Sequence, residues 1–163
     1  MINVLFVCLG NICRSPMAEG VFAHLVSEKG LEDQVGYDSA GMIGFHAGEL
    51  ADRRMRNTAS SHGIELTHRS RPFESQDFQK FDYIIAMDSN NKKDIEAEKK
   101  GGLGKDQHIY MMRDFDDKRS GKAVEDPYYQ GDTAFEDCYQ ILLESNSNFL
   151  DYLISKHNLN PKS

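Results

Sequence analysis

The sequence predicts a single α/β domain spanning residues 1–163: a central four-stranded parallel sheet with helices on both faces. Three observations lead there. Short runs rich in β-branched and aromatic residues alternate with helix-periodic stretches along the chain. The first and third strand-like runs, Ile2 to Val7 and Phe81 to Met87, are largely apolar, as expected where both faces of a sheet are covered. A length of 163 residues with 39% apolar content suits one core.

Taken in order, Ile2 to Val7 is apolar apart from Asn3 and predicts the first strand. After the loop Cys8 to Arg14, Ser15-Pro16 reads as an N-cap with proline at the first helical position. Met17, Val21 and Leu25 then recur at four-residue spacing, so a helix runs to about Gly30. Val35 to Ala40 predicts a second strand, and Asp52 to Ser61 a polar helix closed by His62-Gly63. Phe81 to Met87 predicts a third strand, and Asp88-Ser89 would cap a helix reaching about Lys99. The stretch Lys100 to Glu125 is rich in Gly, Lys and Asp and predicts surface loop, with His108 to Met112 as the fourth strand. Thr133 and Glu136 have capping-box spacing. Phe135, Tyr139, Leu142, Phe149, Leu153 and Ile154 then mark an amphipathic C-terminal helix.

The formal charge of −7, with acidic and basic residues mixed, leaves no basic stripe to follow a nucleic acid backbone. No apolar run approaches the roughly 18 residues of a membrane span, and the N-terminus lacks a basic leader, so a cytoplasmic protein without membrane partners is expected. Three cysteines, Cys8, Cys13 and Cys138, form neither a disulfide framework nor a zinc pattern. No metal or other cofactor is called for. Gly36 and Gly41 have Walker spacing, but Met42 and Ile43 follow where Lys and Ser or Thr are needed.

The chemistry points to Cys8-Leu9-Gly10-Asn11-Ile12-Cys13-Arg14-Ser15, a cysteine and an arginine five residues apart between a strand and a helix start. A turn placed there aims backbone N–H groups inward, and the helix adds its positive end, which suits a phosphate. Arg14 offers a planar fork for two phosphate oxygens at any pH. The same positive field favours the thiolate form of Cys8, a nucleophile, and Ser15 is placed to donate to the sulfur. Gly10 and Asn11 are residue types that tolerate positive φ. Expelling an alkoxide or phenolate calls for a carboxylic acid nearby, and Asp88, Asp114, Asp116, Asp117 and Asp126 are all candidates by residue type. Asp126-Pro127-Tyr128-Tyr129 stands out because proline biases Asp126 to extended geometry and two tyrosines follow.

The segment Val7 to Glu19 closely resembles the N-terminal loop of the low-molecular-weight protein tyrosine phosphatases. The match continues through Asp38-Ser39-Ala40-Gly41, His62-Gly63-Ile64, Ala86-Met87-Asp88 and Asp126-Pro127-Tyr128. The resemblance implies a flavodoxin-like fold, a phosphocysteine on Cys8, a phosphoryl group gripped by Arg14 and cradled by Leu9 to Ser15, and Asp126 as general acid and base. It implies that Asn11, Ser15, Ser39 and His68 support the loop. Phe45, Tyr128 and Tyr129 would wall a slot deep enough for phosphotyrosine. It further implies a reversible disulfide between Cys8 and Cys13, a phosphotyrosine-containing protein substrate and no metal; a monomer is expected. Cys138 reads as core.

Three rivals share parts of this pattern. Thioredoxin-coupled arsenate reductases need two further cysteines after the third strand, and Asp82 to Glu98 contains none. Protein arginine phosphatases resemble this loop but carry threonine where this chain has Ile12. A non-catalytic phosphate-binding module would keep Arg14 but has no need of Cys8 and Asp126 together.

Overall fold

The computed structural model describes residues 1–99, 108–116 and 121–162. Parts of the predicted Lys100 to Glu125 loop, including Asp117, lie outside the described residues.

Four strands, β1 (Ile2–Cys8), β2 (Val35–Gly41), β3 (Tyr83–Ala86) and β4 (His108–Met111), form one parallel sheet in the order β2-β1-β3-β4. β1 is central, pairing with β2 from Ile2↔Val35 to Cys8↔Gly41 and with β3 from Val4↔Tyr83 to Val7↔Ala86. Its apolar run is continuous because both faces are covered. Val4 and Phe6 enter the larger core with α1 (Arg14–Glu28) and α5 (Thr133–His157), while Leu5 and Val7 enter a smaller one that includes Phe78 and Ile95. Those two side chains come from α3 (Asp77–Lys80) and α4 (Ser89–Glu98). α2 (Arg53–Ser61) completes the helices on the larger side, with Met55 and Ala59 in that core. Phe6, Phe22 and Phe149 form its aromatic centre, with ring centroids 5.3, 5.6 and 6.5 Å apart.

The two strands flanking β1 leave it on opposite sides, so a crevice opens at its carboxyl end, where open α/β sheets bind ligands. Cys8 is the last residue of β1 and Arg14 the first of α1.

Several predicted caps are used differently. Ser15 lies inside α1; the cap position is Cys13, which offers no side-chain bond, because the Ser15 hydroxyl is engaged by Cys8 and Asn11 instead. The Thr133–Glu136 capping box does not form: Asp132 precedes the helix, and the Glu136 carboxylate is taken by His62 and Gln140. Asp52 and Asp88 do cap, accepting from Arg54 N and Asn91 N, each at 2.8 Å. Of Gly10 and Asn11, Asn11 alone takes the left-handed conformation, at φ 57°. α3 has no counterpart in the sequence reading. Four residues are too few to show a period, and Asp77 is fixed by Arg71, six residues before it, through bonds of 3.0 and 3.1 Å.

A polar brace joins α1 to β2 beneath the loop. The Ser39 hydroxyl donates to Glu19 Oε1 at 2.7 Å, and His68 Nδ1 lies 3.3 Å from both Glu19 Oε1 and Asp38 Oδ1. Burial pushes the Glu19 carboxyl up to about 7, against the pull of the Ser39 hydroxyl and Arg71. Burial likewise pulls His68 down, with Asp38 opposing. Because the folded Glu19 value lies above the ordinary 4.5, its contribution to stability is complete below pH 4.5 and is lost as pH rises through 7. A Glu19→Gln variant should therefore gain on the wild type by about 3 kcal/mol as pH climbs across that window. Paired denaturant titrations from pH 4.5 to 8 measure this, and a constant difference would contradict it.

Candidate active site

The loop after β1 turns its carbonyls outward. Cys8 O accepts from Met42 N, Leu9 O from Ile43 N and Ile12 O from Asp52 N, at 3.0, 3.0 and 2.7 Å, and Gly10 O accepts from the Ser70 hydroxyl at 3.1 Å. The amides of Leu9 through Arg14, by contrast, have no hydrogen-bond acceptor among the described residues. Unpaired donors converging at a helix start form a seat for an anion.

Asn11 holds this arrangement. Its Nδ2 donates to Ser15 Oγ at 2.7 Å and to Ser39 Oγ at 3.0 Å, while its Oδ1 accepts from Arg71 N at 3.0 Å. A backbone amide can only donate, so the amide orientation is fixed. His68 Nε2, 2.9 Å from the same Oδ1, must then carry a proton. Nδ1 faces the carboxylates of Glu19 and Asp38, each at 3.3 Å. The carboxylate and imidazole atoms of Glu19, Asp38 and His68 lie within 4.8 Å of one another, a grouping of metal-ligand types. They already bond Ser39, Arg71 and Asn11. Gly41 is required beside the loop, since a Cβ there would sit 2.9 Å from Leu9 O.

Cys8 is buried, with its Sγ 3.0 Å from Ser15 Oγ. Because Ser15 Oγ accepts from Asn11, its own proton is free to point at the sulfur. The Arg14 side chain is 5% exposed. Its Nη1 donates to Asp88 Oδ2 at 2.7 Å and to Val124 O at 3.0 Å, and its Nη2 lies 3.8 Å from Asp126 Oδ2. Burial works against the guanidinium charge, but Cys8, Asp88 and Asp126 outweigh it and raise its pKa further. Burial pushes the Cys13 thiol well above the ordinary range, with Asp52, Asp126 and Cys8 adding to the effect. Burial pushes the Cys138 thiol up to about 12, as befits its place in the core. All three cysteines are free thiols.

These groups open into a cleft of about 320 Å³ that brings together Cys8, Cys13, Arg14, Asp126, Phe45, Tyr128 and Tyr129. Phe45 and Tyr129 stand at its mouth, 81% and 93% exposed, while Tyr128 is half-buried and meets Tyr129 edge to face at 4.8 Å. Ile43 and His46 also line the cleft, and the sequence reading passed over both. Nothing in their spacing marks them, since β2 and the loop after it place them by folding over Leu9.

Geometry separates the candidate carboxylates. Asp88 is tied to Arg14 and caps α4. Asp114 accepts from Met111 N and Gly121 N, and buried Asp116 is bound by Arg113 and Ser145. Asp126 alone of the described candidates lines the cleft, its side chain 43% exposed and braced by Tyr128 N at 3.1 Å.

With this geometry in view, likeness to known proteins is informative. The family model for low molecular weight phosphotyrosine protein phosphatases matches residues 3–159. The fission yeast Schizosaccharomyces pombe protein named low molecular weight phosphotyrosine protein phosphatase is 42% identical over 91% of this chain and 95% of its own. A protein tyrosine phosphatase crystal structure from Entamoeba histolytica is 37% identical, covering 98% of this chain and all of its own, with a TM-score of 0.87. A Drosophila arginine phosphatase structure, 35% identical over 91% of this chain and 96% of its own, follows at a TM-score of 0.86. The family model spans nearly the whole chain and the likeness holds in both sequence and structure, so the chain belongs to the low molecular weight phosphotyrosine protein phosphatase family.

Proposed function

We propose that this protein hydrolyses phosphotyrosine in protein substrates through a phosphocysteine on Cys8. The observation that carries this is the row of unpaired amides from Leu9 to Arg14, closed by a buried arginine and floored by the Cys8 sulfur. Substrate phosphoryl oxygens take the amides and the free edge of the Arg14 fork. The Cys8 thiolate attacks phosphorus, the bond to the phenolic oxygen breaks, and Asp126 gives that oxygen its proton. Asp126, now ionised, takes a proton from water as the water attacks phosphorus. The S–P bond breaks, and Ser15 donates to the returning thiolate.

Asn11, Ser39 and His68 hold the loop in shape. Phe45, Tyr128 and Tyr129 wall the slot for the tyrosyl ring. Half-buried, apolar Ile12 in the same wall favours an aryl ester over a phosphoguanidinium, which separates this reading from the arginine phosphatase alternative. The chain acts as a cytoplasmic monomer without metal. Peroxide converts the Cys8 thiolate to a sulfenic acid; the Cys13 thiol condenses with it, water leaves, and a disulfide shields the nucleophile. No described helix is long and apolar enough to cross a membrane.

Replacing Cys8 with serine should cut turnover of an aryl phosphate by on the order of 10³-fold or more while phosphate-ester binding persists. Retained turnover in single-turnover assays would refute the nucleophile. An Asp126→Asn substitution should cost on the order of 10²-fold with phenyl phosphate and clearly less with a nitrophenyl ester, whose leaving group needs less protonation. Equal losses would place the acid elsewhere. Asp88→Ala removes both the partner of Arg14 and a helix cap, so about tenfold in kcat/KM and about 1 kcal/mol in stability should be lost. Asp88→Ser should restore the stability but not the turnover, and recovery of both would show that Asp88 matters only as a cap.

A further inference from the structure

A second groove, of about 410 Å³, runs beside the cleft and shares Ile12, His46 and Tyr128 with it. Its remaining wall carries Arg53, Arg56 and Arg69. We infer that this groove receives acidic residues flanking the phosphotyrosine of the substrate, making the enzyme selective for acidic phosphopeptides; the inference rests on the phosphatase reading above.

Charge accounting favours it. None of the three guanidinium groups has a carboxylate within 4.0 Å among the described residues, and of the two acids lining the groove Asp52 is already matched by a fourth arginine. Asp52 pairs with Arg54 at 3.1 Å and Glu49 bonds the His46 ring at 3.1 Å. Arg56 and Arg69 each donate to one backbone carbonyl, of Ala51 and Gly48, at 2.9 Å, leaving further N–H groups free. Three arginines against the one remaining carboxylate, Glu49, leave the depression positive, which is unexpected on a chain of net charge −7.

Local helix energetics point the same way. Arg53 stands at the first position of α2, whose first turn contains no acidic residue. A cation at the positive end of a helix works against the helix dipole. A residue that opposes its local rule is expected where function, not folding, selects it. The placement also suits a peptide. An extended chain advances about 3.3 Å per residue, so residues next to a phosphotyrosine seated on Cys8 pass over the shared wall and reach the arginines.

The test compares three substrates at low salt: a phosphotyrosine peptide with Asp and Glu on both flanks, the same peptide with Asn and Gln, and a nitrophenyl phosphate with no flanks. The small ester reports functional active sites, and no turnover of it by the unaltered enzyme would sink the phosphatase reading and this inference with it. The acidic peptide should be favoured over the neutral one by about fivefold to tenfold in kcat/KM, mainly through KM, with the ratio shrinking as salt rises. In the Arg53→Gln/Arg56→Gln/Arg69→Gln variant the ratio should fall to near one. Arg53→Glu/Arg69→Glu, should the triple variant fold poorly, should instead favour a peptide flanked by lysine. Equal rates for acidic and neutral peptides in the unaltered enzyme, with normal turnover of the small ester, would overturn the groove while leaving the active site standing. Persistence of the preference in both variants would overturn it equally.

Discussion

The site depends on one side-chain amide. Asn11 sits at φ 57°, a strained conformation for most residues, and each of its polar atoms is used: two donors to Ser15 and Ser39, and one oxygen accepting from Arg71 N and His68. Left-handed backbone at this point bends the chain so that loop carbonyls face the β2 side and amides face the crevice. Without the buried partners the residue would be free to relax and the amides to find other acceptors. Loop shape, hydroxyl orientation at the sulfur, and the link to β2 all pass through this group. Fully satisfied buried polar networks of this kind rigidify, whereas partly satisfied ones do not.

The brace beneath Asn11 extends that constraint outward. Arg71 contributes its backbone N–H to Asn11 and its guanidinium to Asp38 and Asp77. The segment from His68 to Arg71 is therefore pinned to β2, to α3 and to the loop at once. Ser70 adds a bond to Gly10 O, and Gly41 N accepts no compromise of spacing: it donates to Arg71 O at 2.9 Å, with the loop backbone a Cβ width away. A loop with no hydrogen bonds of its own on the inner side thus gains rigidity from the outer side.

Much of this was legible in the sequence, and the rest was hidden for physical reasons. Parallel strands buried on both faces announce themselves as apolar runs, so β1 and β3 were readable to within a few residues; β2, which carries Asp38 and Ser39, was found with similar bounds on weaker grounds. The Cys8 to Arg14 spacing and its flanks gave the cradle. The choice of Asp126 among five aspartates rested on family resemblance, and tertiary placement shows what spacing could not, that Asp88 faces Arg14 and Asp116 faces Ser145. Caps at Ser15 and Thr133 were misread because their local pattern is that of a cap while other groups claim the Ser15 hydroxyl and the Glu136 carboxylate. His46, Ile43 and the groove arginines were invisible because residues far apart in sequence meet there only after folding.

Arg14 shows how a fixed cradle and an exposed acid can share one frame. Its Nη1 is fully engaged, by Asp88 at the cap of α4 and by the carbonyl of Val124, while Nε and Nη2 have no hydrogen-bond acceptor among the described residues. That free edge is the one able to present two parallel N–H bonds to a phosphoryl group. Val124 N in turn donates to Met87 O at 2.8 Å, so the segment leading to Asp126 is tied to the end of β3 on one side and to Arg14 on the other. Asp126 lies two residues farther along, beyond the last of these ties, exposed and held by its turn to Tyr128 N. In the proposed reaction the oxyanion donors must not move, because reorganising them would cost what they supply. The acid must first meet a leaving group and then water, and a half-exposed carboxylate just past a fixed anchor can serve both. The same guanidinium that would hold the phosphoryl group therefore also sets the distance from which the acid acts.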